Sequence, residues 1–182
     1  MIFNSDWWKH VHGYFDYDDV WCGMVDYCHD GDWIVELGSF IGRSSCCLGA
    51  IIQSSGKKIN VLCVDPWPLM WTTDKRMTTE PFSLWRANII QAGFEHFIFP
   101  LRTTSKIAST IVGNDLAAVY IDADHEYPSV VEDISIWLPK VRKGGILAGH
   151  DYSEAWPGVI QAVKEQLGTN YSVMRQSWVH RV

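Results

Sequence analysis

The sequence lacks the features that mark disulfide-stapled, exported or membrane-spanning proteins. Its five cysteines are an odd number and include no Cys-x-x-Cys pair, which argues against a disulfide framework or a zinc site. No stretch approaches the roughly 18 consecutive apolar residues of a membrane span. The N-terminus also lacks the basic start and apolar core of a signal peptide. We therefore expect a cytoplasmic protein with reduced thiols.

Clustered positive charge is also missing. The 182 residues contain 15 Lys and Arg against 21 Asp and Glu, which gives a formal net charge of -6. Nucleic-acid binding draws on grouped basic side chains, so this balance predicts no DNA or RNA partner.

Neither a linker nor an internal repeat divides the chain. A length of 182 residues suits one domain that can bury its own core. We expect a single domain over residues 1–182, in which residues 1–30 form a helical or lid-like segment. The aromatic residues of that segment suggest either a lid or a homodimer contact.

Short apolar runs alternate with segments of helical periodicity. The runs cover residues 33–37, 59–64, 97–101, 116–121 and 146–148. This alternation predicts a parallel sheet flanked by helices. The last 13 residues predict two further strands around a tight turn, and the irregular piece at 66–81 has the length of a binding loop or lid.

Polar and mostly acidic side chains close four of the predicted strands. They are Glu36, Asp65, Asp122 and the pair His150 and Asp151. Open α/β sheets bind ligands at the carboxyl ends of their strands. We therefore expect the functional site at this edge.

The stretch IVELGSFIGRSS, residues 34–45, follows the first strand. Its glycines permit a sharp turn, and a helix starting near Gly42 presents free N–H groups. The spacing fits neither the dinucleotide fingerprint nor the phosphate loop, and Glu36 would repel a pyrophosphate, which disfavours a nicotinamide-dependent oxidoreductase. S-adenosylmethionine is cationic and has no phosphate. Asp65 could then bind its ribose hydroxyls, while Trp67 either walls the adenine or packs in the core.

These stretches resemble the class I S-adenosylmethionine-dependent methyltransferases. VELGSFIGRSS resembles the first motif of that family, and VLCVDPW resembles the second. The resemblance implies an α/β fold, namely a Rossmann-like three-layer sandwich whose mostly parallel seven-stranded sheet ends in a C-terminal antiparallel hairpin. The cofactor-binding positions that it implies are Glu36, Gly38, Ser39, Gly42 and Ser44 at the methionine end, Asp65 at the ribose, Ser105 near the adenine, and Asp122; Trp67 remains a further candidate for the adenine wall.

A second block, residues 120–163, resembles the small-molecule O-methyltransferases related to macrocin O-methyltransferase. It begins YIDADHEYPSVVED and includes GGILAGHDY. In that group, carboxylates after the fourth and fifth strands bind a divalent metal, and a His three residues past the first Asp is the base. The matching positions are Asp122 and Asp151 for the metal and His125 for the base, with Asp122 also counted as catalytic. His150 stands where a second carboxylate is expected and becomes a further candidate ligand.

The implied reaction is methyl transfer from S-adenosylmethionine to a hydroxyl of a small molecule, such as a sugar or a phenolic natural product. A bound Mg²⁺ or Mn²⁺ would lower the pKa of that hydroxyl, and His125 would take its proton. Two alternatives stay open: a metal-independent methyltransferase that uses His125 as base, and a non-catalytic binding module that retains the cofactor fold. The expected partner is a small-molecule acceptor, and we expect no association with a membrane.

Overall fold

The computed structural model describes residues 6–67 and 79–182. Most of the irregular piece predicted at 66–81 lies outside these residues. The described helices are α1 (Asp18–Tyr27), α2 (Arg43–Ser55), α3 (Pro81–Ala92), α4 (Ser105–Ile111), α5 (Tyr127–Trp137) and α6 (Pro157–Leu167), with short 3₁₀ turns at Trp7–His10 and Leu138–Lys140. The strands are β1 (Trp33–Leu37), β2 (Asn60–Asp65), β3 (Ile98–Arg102), β4 (Leu116–Ile121), β5 (Val141–Gly149), β6 (Ser172–Met174) and β7 (Ser177–Arg181).

The seven strands form one sheet in the order β3-β2-β1-β4-β5-β7-β6. Strands β1 to β5 are parallel, whereas β7 pairs antiparallel with both β5 and β6. This arrangement confirms the predicted sheet and its terminal hairpin. The strand order reverses between β1 and β4, so the connections after these strands diverge and leave a crevice at the carboxyl edge.

Helices cover both faces of the sheet and complete the three layers. On one face, α1, α2 and α3 contribute Trp21, Leu48 and Trp85 to a core that includes Ile34 of β1. On the other face, Ile134 of α5 and its neighbours pack against the second side of the same strands. The central strand β4 is buried at all six residues, which is why its sequence LAAVYI is apolar throughout.

Strand β5 differs from the sequence prediction because it begins at Val141 rather than at residue 146. Its first half, with the sequence VRKGG, carries charge and glycine and does not look like a buried strand. The register with β4 shifts there, since Leu116 pairs with Val141 but Ala118 pairs with Ile146. A bulge of this kind absorbs extra residues without breaking the ladder.

The N-terminal residues form the 3₁₀ turn and α1, joined by an extended segment. We call residues 12–17 the strap, because they run along the carboxyl edge of the sheet. The hydroxyl of Tyr17 donates to Asp122 over 2.8 Å, although the two residues are 105 positions apart. The helical or lid-like role expected for residues 1–30 stays a prediction. The single-domain boundary stays a prediction.

No helix within residues 6–67 or 79–182 is both long enough and apolar enough to cross a bilayer.

Candidate active site

A cavity of about 840 Å³ opens at the carboxyl edge, where the strand order reverses. The ends of β1 and β2 form one side of it, and the ends of β4 and β5 form the other. The strap lies along its rim. Ten of the residues singled out from the sequence line it, whereas Glu36 and Gly42 do not; the ten are Gly38, Ser39, Ser44, Asp65, Trp67, Ser105, Asp122, His125, His150 and Asp151.

Gly38 sets the shape of the loop after β1. Its φ is +83°, a left-handed conformation, and a Cβ at this position would lie 1.9 Å from the backbone oxygen of Asp122. Only glycine tolerates both conditions. The end of β1 can therefore press directly against the end of β4, which brings the two sides of the cavity together.

Glu36 lies behind this loop and is 0% exposed. Its carboxylate accepts hydrogen bonds from Ser39 over 2.6 Å, from Ser44 over 2.5 Å and from Ser45. Burial raises the pKa of Glu36, and the three hydroxyls oppose that shift. Glu36 thus joins the loop to the first turn of α2, and Ser39 and Ser44 rather than the carboxylate line the cavity. This arrangement explains a charged residue at the end of a buried strand.

Asp65 joins the loops after β1 and β2. One carboxylate oxygen accepts from the backbone N–H groups of Ser39 over 3.0 Å and Phe40 over 2.9 Å, and the other accepts from Trp67 over 2.6 Å. Burial raises the pKa of Asp65, while these N–H groups oppose the rise. Trp67 is 1% exposed and packs against Trp85, so its ring is part of the core as well as of the cavity wall.

A polar cluster that the sequence did not reveal surrounds Ser105. The Ser105 hydroxyl donates to Asp133, and the indole N–H of Trp137 donates to Ser105 over 2.8 Å. Asp133 is 6% exposed, lines the cavity, and has its pKa raised to about 6 by burial. The sequence did not single out Asp133, because one polar residue is ordinary in an amphipathic helix.

His125 and Asp151 form the central pair on the β4–β5 side. Nε2 of His125 lies 2.6 Å from Oδ2 of Asp151, and the same oxygen lies 3.3 Å from Nδ1 of His150. The His125 ring stacks on Trp156, with ring centroids 4.3 Å apart. The imidazole is therefore fixed by a carboxylate on one edge and by an indole on one face.

The strap completes this cluster from the N-terminal side. Asp16 lies 2.7 Å from Nε2 of His150, and Tyr17 donates to Asp122. Both nitrogens of His150 thus face carboxylates. Neither Asp16 nor Tyr17 belongs to a recognisable sequence motif. Their partners lie 134 and 105 positions away along the chain, so only the folded structure reveals these contacts.

The electrostatics of the cluster follow from these contacts. Burial alone would lower the pKa of His150, but Asp151, Asp122 and Asp16 raise it to about 9. The hydrogen bond to Asp151 likewise raises the pKa of His125. Burial would raise the pKa of Asp151, but the two histidines lower it, whereas desolvation raises that of Asp122. Asp151 and the two histidines thus favour each other's charged forms.

Asp122, His125 and Asp151 offer donor atoms that all lie within 4.8 Å of one another. Two carboxylates and one imidazole are a donor set that Mn²⁺ or Mg²⁺ accepts. His150 lies close by, with its Nδ1 3.3 Å from Oδ2 of Asp151 and 3.9 Å from Oδ1 of Asp122, and its role as a ligand stays a prediction. The residues therefore fit a divalent cation at the two carboxylates, with His125 in the same group.

Residues 35–152 match the model of a family described as a methyltransferase domain. The chain belongs to this methyltransferase family. The expected class I S-adenosylmethionine-dependent methyltransferase is thereby confirmed, together with its fold. A curated relative, an uncharacterised protein of Acanthamoeba polyphaga mimivirus, is 30% identical over 138 residues, which are 72% of this chain and 57% of the relative. The methyltransferase chain thus spans a little over half the length of that protein.

Solved methyltransferase structures share the fold at low sequence identity. An S-adenosylmethionine-dependent O-methyltransferase of Thermotoga maritima has a TM-score of 0.62 at 15% identity, covering 94% of this chain and 66% of that one. The TDP-rhamnose 3'-O-methyltransferase CalS11 of calicheamicin biosynthesis has a TM-score of 0.59 at 18% identity, covering 91% and 77%. At these identities the likeness establishes the architecture of the methyltransferase and nothing about its substrate.

Proposed function

We propose that this methyltransferase transfers a methyl group from S-adenosylmethionine to a hydroxyl of a small molecule, a sugar or a phenolic compound, with help from a divalent metal. The observation that carries the proposal is the 2.6 Å contact between His125 and Asp151 on the wall of the cavity. A histidine oriented by a carboxylate beside a ligand cavity is the arrangement of a general base.

The β1–β2 side of the cavity suits the cofactor. When bound there, S-adenosylmethionine supplies a methyl group on a sulfonium, which is an excellent leaving group. The left-handed turn at Gly38 lets backbone approach a ligand closely, and Asp65 faces the same space. The carboxylates along the wall favour the cationic S-adenosylmethionine, which has no phosphate group for them to repel. Asp65 would hold the ribose hydroxyls, and Ser105 and Asp133 would lie near the adenine.

The β4–β5 side suits the acceptor. Because Nε2 of His125 donates to Asp151, the neutral ring leaves Nδ1 as the atom that accepts a proton. A divalent ion held by Asp122 and Asp151 would lower the pKa of the acceptor hydroxyl. The direct contact between His125 and Asp151 also favours the second candidate, a metal-independent methyltransferase in which this pair alone removes the proton.

The acceptor class is supported by the aromatic residues that flank the base. Trp156 is 39% exposed next to His125, and Tyr14 of the strap is 71% exposed; both line the cavity. Exposed rings of this kind pack well against the flat face of a sugar or a phenol. CalS11, which has the same fold, acts on a sugar nucleotide according to its name.

The test is a screen of sugar, sugar-nucleotide and phenolic acceptors that scores release of S-adenosylhomocysteine by the wild-type protein. We expect release with at least one hydroxyl acceptor, and no release when that hydroxyl is replaced by hydrogen. Tight binding of S-adenosylhomocysteine without turnover of any acceptor would favour the binding-module alternative. Turnover of amine acceptors alone would contradict the assignment to oxygen.

A further inference from the structure

Asp16, in the strap, lies against a histidine that is almost completely enclosed. Its Oδ1 is 2.7 Å from Nε2 of His150, whose side chain is 2% exposed. Because an ionised carboxylate can only accept, Nε2 donates this hydrogen bond. The rings of Tyr14 and Tyr17 flank the imidazole, with centroids 5.9 Å and 4.9 Å away. Three residues of the strap therefore hold one buried ring in place.

His150 connects Asp16 to the proposed base. Its second nitrogen, Nδ1, lies 3.3 Å from Oδ2 of Asp151. The same oxygen contacts Nε2 of His125 over 2.6 Å. Asp16 is thus the first member of a series of contacts that runs through two side chains and ends at the imidazole of His125.

The backbone of Asp151 shows why its side chain needs support. Its φ is +58°, in the left-handed region that residues other than glycine rarely adopt. A strained residue of this kind keeps its conformation only when its surroundings fix it. The Asp151 carboxylate contacts two imidazoles, that of His125, which is 30% exposed, and that of His150, which is 2% exposed. The buried ring is the better anchor, and it leaves His125 available to the cavity.

The carboxylate of Asp16 is not required to hold the strap itself. The backbone oxygen of Gly13 accepts from Arg43 over 2.5 Å. The backbone oxygen of Asp16 accepts from Arg175 over 2.6 Å. Both contacts use main-chain atoms of the strap and would persist without the Asp16 side chain. Removal of this carboxylate should therefore affect His150 more than the path of the chain.

We propose that Asp16 is a positioning residue, which fixes Asp151 through His150 and thereby sets the orientation of His125. The inference rests on the proposed function, in which His125 is the base. It gives a role in the reaction to a segment that lies before residues 35–152, the part of the chain that matches the methyltransferase family. Misplacement of a reacting group by about 1 Å can cost about 10² in rate, so an indirect effect of this kind is measurable.

The first experiment observes the histidine side chains and needs neither cofactor nor acceptor. Proton–nitrogen correlation spectra of the imidazole groups are recorded for wild type and Asp16→Ala, and His125→Ala and His150→Ala identify the signals. We expect Asp16→Ala to move the signals of both rings, although Asp16 contacts only one of them. Asp18→Ala, which alters an exposed neighbour that pairs with Arg175, should move neither.

The second experiment measures turnover of an acceptor found in the screen. Loss of an outer hydrogen-bond partner typically costs about 10- to 100-fold in activity, so Asp16→Ala should lose kcat by that factor, with its Kd for S-adenosylhomocysteine within about threefold of wild type. Asp16→Asn keeps an oxygen that can accept from Nε2 of His150 and should recover a large part of the rate. A purely structural role would lower stability and cofactor affinity together and would not give this separation.

The proposal is wrong if the His125 signals of Asp16→Ala coincide with those of wild type, or if this variant keeps the wild-type rate. An equal loss of rate in Asp18→Ala would also contradict it, because the whole strap would then be responsible. If wild type methylates no acceptor, the proposed function fails, whereas the spectra still decide whether Asp16 orients His125. If the Ala variant does not fold, Asp16→Asn provides the spectra, with a smaller displacement of the same signals expected.

Discussion

Oδ2 of Asp151 lies 2.6 Å from Nε2 of His125, so the imidazole in this site is oriented by a carboxylate from the neighbouring strand end. The same oxygen is 3.3 Å from His150, and His150 in turn reaches Asp16 of the strap. A displacement of Asp16 would therefore be transmitted to His125, the proposed base, through His150 and Asp151.

Removal of the imidazole at position 125 should affect the reaction and spare the cofactor. A positioned base is worth about 10² to 10⁴ in rate, so His125→Ala should lose turnover by that factor. Its affinity for S-adenosylhomocysteine should change by no more than about threefold. The exposed His96 provides a matched control, since His96→Ala should keep wild-type turnover. Wild-type rates in His125→Ala would show that another group accepts the proton.

Divalent metal should be needed for full turnover. Asp122 and Asp151 supply the oxygen ligands, so exhaustive chelation should abolish activity, and Mn²⁺ or Mg²⁺ should restore it. Asp151→Asn should require more metal for half-maximal rate. Binding of Mn²⁺ can be followed directly by electron paramagnetic resonance without any acceptor. If chelated wild type and Asp151→Asn both work at full rate, the metal-independent candidate is the correct one.

Asp65 should contribute to cofactor affinity. Asp65→Ala should weaken S-adenosylmethionine and S-adenosylhomocysteine by about 1.5 to 3 kcal/mol, because a charge-assisted hydrogen bond to the ribose is lost. Calorimetry measures both. Glu95→Ala, at an exposed position of the same charge, is the control. An unchanged affinity in Asp65→Ala would remove this residue from the cofactor site.

Asp133 should make stability depend on pH. Burial raises its pKa from 3.8 to about 6. Between these values the folded protein binds more protons than the unfolded chain, so stability falls as pH rises and levels off above pH 6, with a total loss of about 3 kcal/mol. Asp133→Asn has no charge to bury. Its stability relative to wild type should therefore be greater at pH 8 than at pH 4 in urea unfolding; an equal difference at both would contradict the assignment.

Gly38 should tolerate no side chain. Its Cβ would overlap the backbone of Asp122, and its φ is left-handed, so Gly38→Ala should destabilise the protein by about 1 to 3 kcal/mol and impair cofactor binding. Gly23 in α1 is the control: a Cβ there meets no atom within 4 Å, and Gly23→Ala should stabilise the helix by about 0.5 to 1 kcal/mol. Thermal unfolding compares the two, and a Gly38→Ala protein as stable as wild type would refute the steric argument.

The sheet and the edge that carries the candidate site could be predicted, because a buried strand requires a run of apolar residues that is visible in the sequence. A strand such as β4, buried on both faces, has to be an uninterrupted apolar run. The same rule explains the error at β5, whose half-exposed first residues carry charge and glycine. The acidic residues at the ends of such runs then placed Asp65 and Asp122 at the same edge of the sheet.

The rest of the site depends on contacts that no local pattern encodes. Asp16 and His150 are 134 positions apart, and nothing near Asp16 signals its partner. Asp133 looks like an ordinary helix residue, and only the packing of α5 places it on the cavity wall. Glu36 shows the opposite case: its position was evident, but the three serines that enclose its carboxylate became visible only in the folded chain.

The insertion of β7 between β5 and β6 has a consequence for biosynthesis. While the ribosome is still translating, β5 is finished some 28 residues before β7 begins, so its backbone N–H and C=O groups remain an open edge during that time. Open edges recruit strands from neighbouring chains on the same polysome. A premature stop codon before residue 177 would leave this edge permanently unpaired and would direct the product to aggregation or proteolysis.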